Sequence, residues 1–254
     1  MDMKKILAVA TAIVGTTVMA DSLVSSSVVG YTGQELNDGL TTSVGTFVGI
    51  TANDSMPISA LTPSATGLAS EAVNIQTLDE FGATSKMYFY ITESEAGDYG
   101  LEGAGWIDGD DYSLADKVFD VGEGYLVQNS YSDGKITCSG AVATGATTVL
   151  LNDGLSTSGN LNPTTVDIQS IVATATGLAS EAINIQTLDE FGATSKMYFY
   201  ITEEEAGDYG LEGSGWIDGD DYSLAVKDFV PGEGFLVQNS YSDGAIVLPA
   251  VLVE

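Results

Sequence analysis

Two acidic turns hold the residues best suited to chemistry in this chain, Asp108-Gly109-Asp110-Asp111 and Asp218-Gly219-Asp220-Asp221. Alternate carboxylates on a tight glycine turn can converge on a hard cation, because the glycine lets the backbone fold around the ion. Oxygen ligands of this kind suit Ca²⁺, which makes Asp108, Asp110, Asp111, Asp218, Asp220 and Asp221 the candidate metal ligands. The spacing is not that of an EF-hand. With Asp108 first, the fifth position is Tyr112, no glycine follows it, and the twelfth is Phe119. Glu93, Glu95, Asp98 and Glu102 lie on the same Gly-rich connection and could complete a coordination shell. The same turns also read as solvated acidic loops that hold nothing.

Aromatic residues flank both turns. Trp106 and Tyr112 in the first, and Trp216 and Tyr222 in the second, are candidate ligand-binding residues, with Tyr99 and Tyr209 beside them. Aromatic faces next to hydrogen-bonding carboxylates suit neutral glycans. The alternative is that each Trp closes a hydrophobic core beneath a long loop.

Catalytic readings are poorer. Paired carboxylates such as Glu93 and Asp108 invite a glycosidase, but the chain has no His, and all seven of its basic residues are Lys. Ser-His-Asp and Cys-His chemistry is therefore absent, as are zinc sites with the usual nitrogen and sulfur ligands. The glycines of 97–105 lack the Gly-Lys-Ser/Thr of a phosphate-binding loop. A non-enzymatic protein is expected.

The elements that position these turns are duplicated. Residues 66–134 return at 176–244 with a constant offset of 110, and only eight of the 69 aligned positions differ. They are Val73/Ile183, Ser94/Glu204, Ala104/Ser214, Asp116/Val226, Val118/Asp228, Asp120/Val230, Val121/Pro231 and Tyr125/Phe235. Repeats this close should each adopt the same fold. Four of the eight differences cluster at 116–121, so that edge should meet different neighbours in the two copies.

Met1–Ala20 reads as a secretory signal peptide: Lys4 and Lys5, a short apolar run, then Val18-Met19-Ala20 as a small-residue cleavage pattern. The expected organisation is signal peptide 1–20, first β domain 21–143 and second β domain 144–254. No later stretch reaches the roughly 18 apolar residues of a spanning helix, so the mature chain is not expected to insert into a membrane. Cys138 is the sole cysteine; Leu248 stands at its position in the second copy, which points to a small buried apolar role.

Net charge is −29, from 36 carboxylates against seven lysines. Such a surface cannot neutralise phosphates, which excludes nucleic acid as a partner. Cations or neutral glycans fit it better, and acidity also keeps an exported protein soluble.

Local patterns read as short strands. Leu36-Asn37-Asp38-Gly39-Leu40 and Leu151-Asn152-Asp153-Gly154-Leu155 carry hairpin signals. Thr41–Thr51 is rich in Thr and Val, and Thr51–Ser64 reads as loop. Val73, Ile75 and Thr77 alternate on one face, and Met87–Thr92 is the strongest strand. Ser113–Phe119 suggests a short helical turn. Ser132-Asp133-Gly134 suggests a hairpin returning through 135–142, with Ile136 and Cys138 on one face. Ala141–Thr148 reads as the linker. The expected class is all-β: two tandem, near-identical β-sandwich-like domains after a signal peptide.

The ordered set Val28-Val29-Gly30-Tyr31, Tyr88-Phe89-Tyr90, Gly105-Trp106 and Gly122-Glu123-Gly124-Tyr125-Leu126-Val127 resembles a loosely defined group of exported bacterial repeat proteins. The second copy carries Gly215-Trp216 and Gly232-Glu233-Gly234-Phe235-Leu236-Val237. The resemblance implies export and a β fold and carries over no catalytic residue. The expected function is a secreted structural protein of a cell surface, extracellular matrix or filament that self-associates and is stabilised by Ca²⁺. The alternative is a tandem glycan-binding adhesin using exposed Trp and Tyr.

Overall fold

The computed structural model describes residues 29–44, 55–141 and 145–250. The chain is all-β, with 46% of residues in strands, no α-helix among the described residues, and its sheets arranged in a ring.

The first half contributes β1 (Val29–Glu35), β2 (Gly39–Val44), β3 (Met56–Pro57), β4 (Leu61–Ser64) and β5 (Val73–Leu78). It continues with β6 (Thr84–Ile91), β7 (Gly105–Asp108), β8 (Val118–Phe119), β9 (Gly124–Asn129) and β10 (Lys135–Ala141). The second half repeats the series as β11 (Thr147–Leu150), β12 (Gly154–Gly159), β13 (Val166–Asp167), β14 (Val172–Thr174) and β15 (Ile183–Leu188). It ends with β16 (Thr194–Ile201), β17 (Gly215–Asp218), β18 (Asp228–Phe229), β19 (Gly234–Asn239) and β20 (Ala245–Leu248).

Each half forms three antiparallel sheets. In the first half their orders are β2-β9-β5-β6-β7, β1-β10-β4 and β3-β8, and the second half repeats them as β12-β19-β15-β16-β17, β11-β20-β14 and β13-β18. Among the described residues no sheet takes strands from both halves.

Strand alternation places the core. Val73, Ile75, Tyr88, Tyr90, Trp106, Tyr125 and Val127 point from the five-stranded sheet toward Leu61, Ile136 and Cys138 of the three-stranded sheet, and Met56 and Phe119 close the end. Cys138 is buried with its Sγ 3.4 Å from Met56 Sδ, the small apolar role expected of it. The second half builds a matching cluster, to which Val121 of the first half adds itself.

Two expected hairpins are corners instead. β1 pairs with β10 while β2 pairs with β9, so the Asn37-Asp38-Gly39 turn carries the chain from one sheet to the other. Likewise β9 and β10 belong to different sheets, and Ser132-Asp133-Gly134 turns the second corner. The corners are pinned by Asn129, a buried amide whose Nδ2 donates to the carbonyls of Asn37 and Tyr131 and whose Oδ1 accepts from the Tyr131 amide. A single side chain thus ties both crossings, and Asn239 does the same in the second half. By contrast, the β5–β6 connection is a true hairpin, with Asp79 Oδ1 accepting from the amides of Phe81 and Ala83.

Other expectations are corrected as well. Residues 113–119 hold no helix; Leu114 bridges Ile107 and 118–119 form β8. The segment 55–64 is not loop but β3, a 3₁₀ turn and β4. Both ends of the expected linker lie in strands, with residues 142–144 outside the described ones. The signal peptide 1–20 and the strand reading for 45–51 also lie outside the described residues.

The halves meet reciprocally. Leu40 N–H donates to Glu190 O at 2.9 Å, and Leu155 N–H donates to Glu80 O at 2.8 Å. Gly39 and Gly154 open these contacts: a Cβ on either would lie 2.4 Å from the carbonyl oxygen of Glu190 or Glu80. Around this shared centre the neighbours differ. Gly122 lies against Val149, whereas its counterpart Gly232 donates to Asn160 O at 3.1 Å. Within the divergent edge, Val121 packs against the core of the second half.

Candidate functional site

The acidic turn is a tight loop between β7 and residues 113–115. Asp108 N–H donates to Ser113 O, Tyr112 N–H returns to Asp108 O, and Ala115 N–H donates to Trp106 O, each at 2.9 Å. Gly109 is required by close approach: its N–H donates to Met87 O at 2.8 Å, and a Cβ there would sit 2.8 Å from that same oxygen.

Asp108 and Asp110 do converge, but on an ammonium of the chain. Lys86 Nζ lies 2.8 Å from Asp108 Oδ2 and 2.6 Å from Asp110 Oδ2. Lys196 bridges Asp218 and Asp220 at 2.9 and 2.6 Å. Lys86 holds the Asp108 carboxyl below the ordinary carboxylate range, helped by the Asp110 amide, and Lys196 does the same to Asp218. The two aspartates in turn push the Lys86 and Lys196 ammonium groups well up.

Asp111 turns away from this cluster. Its Oδ1 accepts from the Ser113 amide at 2.9 Å, and bonds from the Ser113 hydroxyl and amide lower its pKa; Asp221 repeats this with Ser223. Glu93 braces its own loop by accepting from the Ala104 amide at 3.0 Å. Among the described residues no three acidic, His or Cys side chains gather as a metal-ligand group. In the folded chain Lys86 and Lys196 sit between the aspartates expected to hold a metal, each a partner 22 residues away that the turn motif does not contain.

The tryptophans lie in the core. Trp106 and Trp216 are 2% and 0% exposed, their indole N–H groups donate to Leu61 O and Ile171 O, and each meets a tyrosine ring edge-on. Neither offers a face for a sugar ring. They close the core, as the alternative reading had it.

The aromatic residue exposed on each acidic turn is a tyrosine. Tyr99 and Tyr112 stack with centroids 6.4 Å apart, and Tyr209 and Tyr222 stack at 6.3 Å. Tyr112 and Tyr222 are 54% and 51% exposed. Tyr99 Oη donates to Glu71 Oε1 at 2.7 Å, which raises the phenol pKa to about 12. Glu71 and Tyr112 both hold left-handed backbone, φ 64° and 60°, a conformation that favours glycine. Their counterparts Glu181 and Tyr222 do too, at 65° and 59°. Strain of this kind costs on the order of 1 kcal/mol per residue and concentrates at functional positions. Sequence reasoning named Tyr112 and Tyr222 but missed Glu71 and Glu181. Nothing in the local pattern marks a glutamate as left-handed.

Next to Glu71 in sequence, Ser70 begins a chain of hydroxyls in the first copy. Ser70 Oγ and Thr92 Oγ1 are 3.0 Å apart, as are Thr92 Oγ1 and Ser94 Oγ. The second copy keeps Ser180 and Thr202 at 3.1 Å and replaces the serine with Glu204. Each copy thus presents a stacked tyrosine pair joined to a carboxylate, groups able to stack and hydrogen-bond. Compared with known protein families, with curated proteins and with solved structures, the chain matches none.

Proposed function

We propose that this chain is an exported, non-enzymatic structural protein, built from two tandem β-sandwich-like domains, that assembles with copies of itself at a cell surface, in an extracellular matrix or in a filament. The observation that carries this reading is the reciprocal seam, where the same residues of each copy, Leu40 with Glu190 and Leu155 with Glu80, dock one unit on the other. A unit of this sequence is complementary to its own kind. The leader at Met1–Ala20 supports export. The site chemistry supports a non-catalytic role: Asp108, Asp111, Asp218 and Asp221 are shifted down and stay ionised, the opposite of what a carboxylic acid catalyst needs.

Ca²⁺ enters this reading as a counter-ion that relieves repulsion between strongly acidic chains. Light scattering on the mature protein, in millimolar Ca²⁺ and again in chelator, tests both parts. Large particles in Ca²⁺ that dissolve in chelator support ion-dependent assembly. Particles in both buffers keep assembly without the ion, and a monomer in both overturns the reading.

A second reading is favoured by the Tyr99–Tyr112 and Tyr209–Tyr222 stacks: a tandem glycan-binding adhesin working through tyrosine rather than tryptophan. Glycan-array binding that disappears in Tyr112→Ala plus Tyr222→Ala would select it over assembly.

A further inference from the structure

The seam between the halves has an isologous core, in which the same patch occurs on both partners and each supplies donor and acceptor. Each half offers one edge N–H, Leu40 or Leu155, beside a glycine that admits a foreign carbonyl. Each also offers one hairpin carbonyl, Glu80 or Glu190, that fits there. The side chains repeat the pattern. A Cβ built on Gly192 would lie 2.9 Å from Leu40 Cδ2, and one built on Gly82 would lie 2.9 Å from Leu155 Cδ2. Leu126 and Leu236, on strands next to the seam, are 5% and 6% exposed and belong to neither core cluster.

Among the described residues the sheets of each half form without strands from the other. Pairing within the chain is favoured only by tethering: β10 ends at Ala141 and β11 begins at Thr147, so the short connection raises the effective concentration of one half at the other. The contacts themselves do not distinguish a half of the same chain from a half of another.

We propose that copies of this chain exchange halves through this surface, the first half of one seated on the second half of the next, giving dimers and longer end-to-end oligomers. This rests on the two-unit, self-assembling reading and names the surface through which assembly proceeds.

The test is refolding of the full chain from denaturant at low and at high protein concentration, with mass measured by size-exclusion chromatography and light scattering. The expected result is monomer from the dilute sample and a ladder of multiples from the concentrated one. Leu40→Glu plus Leu155→Glu, which sets carboxylates against the Glu190 and Glu80 turns, should abolish the ladder. Buried Trp106 and Trp216 report whether the cores of that variant have formed. If their emission is lost, Leu40→Ala plus Leu155→Ala trims the same contact without adding charge.

Monomer at every concentration would overturn the exchange. So would a ladder that survives both leucine variants. Native, never-unfolded chains that still scatter as large particles in the leucine variants would sink the exchange alone and leave assembly through another surface standing.

Discussion

Tyr99 Oη donates to Glu71 Oε1 at 2.7 Å, joining two loops 28 residues apart in sequence and holding a strained glutamate beside a stacked pair of tyrosines. The phenol can donate only while protonated. Its folded pKa, about 12, lies above the ordinary value near 10, so the contact contributes fully below that ordinary value and is lost as pH rises through the folded one. Ultraviolet titration should show tyrosines ionising late in the alkaline limb. Glu71→Gln, which keeps an acceptor but removes the charge, should bring Tyr99 back toward the ordinary range.

Removing the lysine from each acidic turn should open a cation site. Lys86→Met with Lys196→Met leaves Asp108 and Asp110, and Asp218 and Asp220, facing each other unpaired. The thermal midpoint should fall at neutral pH and low salt. Millimolar Ca²⁺ should then raise it by more than it raises that of the native chain, because an ion bound only by the folded state stabilises that state. Equal shifts in the two proteins would show that the turns do not bind the ion.

The same pairing sets an acid-side dependence. Asp108 and Asp218 have depressed folded pKa values, so their contribution is complete above the ordinary value near 3.9 and is lost as pH falls through the folded one. Asp108→Asn with Asp218→Asn should flatten the stability profile below about pH 4 and leave its neutral-to-alkaline shape in place. Denaturant midpoints measured across pH check it.

Trp106→Phe should cost about 1–3 kcal/mol from the buried hydrogen bond alone, because Leu61 O loses its indole donor away from water. Trp216→Phe should match it through Ile171 O. Emission from both residues should be blue-shifted, resist acrylamide quenching and stay unchanged on adding sugars.

Asn129→Ala should destabilise by a similar amount, about 1–3 kcal/mol, since the carbonyls of Asn37 and Tyr131 lose their donor at once. Gly134→Ala should approach it, because the new Cβ would sit 2.4 Å from the Asn129 amide nitrogen. The two changes share a neighbour, so the double variant should cost less than the sum. Urea midpoints of the three proteins measure the coupling.

Much of the local structure was legible. Val73 and Ile75 face the core as their alternation requires, and Ile136 and Cys138 share that core. The all-β class follows from short patterned runs and Gly/Asp turns. Pairing was not legible: Asn-Asp-Gly signals a turn, but whether the strands on either side pair or part depends on which distant strand each one meets. The acidic turns show the same limit. Their composition shows carboxylates but not the lysine, Lys86 or Lys196 on the neighbouring strand, that pairs with them.

By itself, the sequence determined that one unit occurs twice, that it is made of strands and turns, and that its surface is strongly acidic. These are properties of periodicity, repetition and charge, which are local or additive. Tertiary structure alone decided that the tryptophans lie inside while Tyr112 and Tyr222 lie outside, that Asn129 ties two sheet crossings together, and that Leu40 and Leu155 meet the hairpins of the opposite copy. Each depends on contacts between residues dozens of positions apart, and only the folded chain brings those atoms within reach.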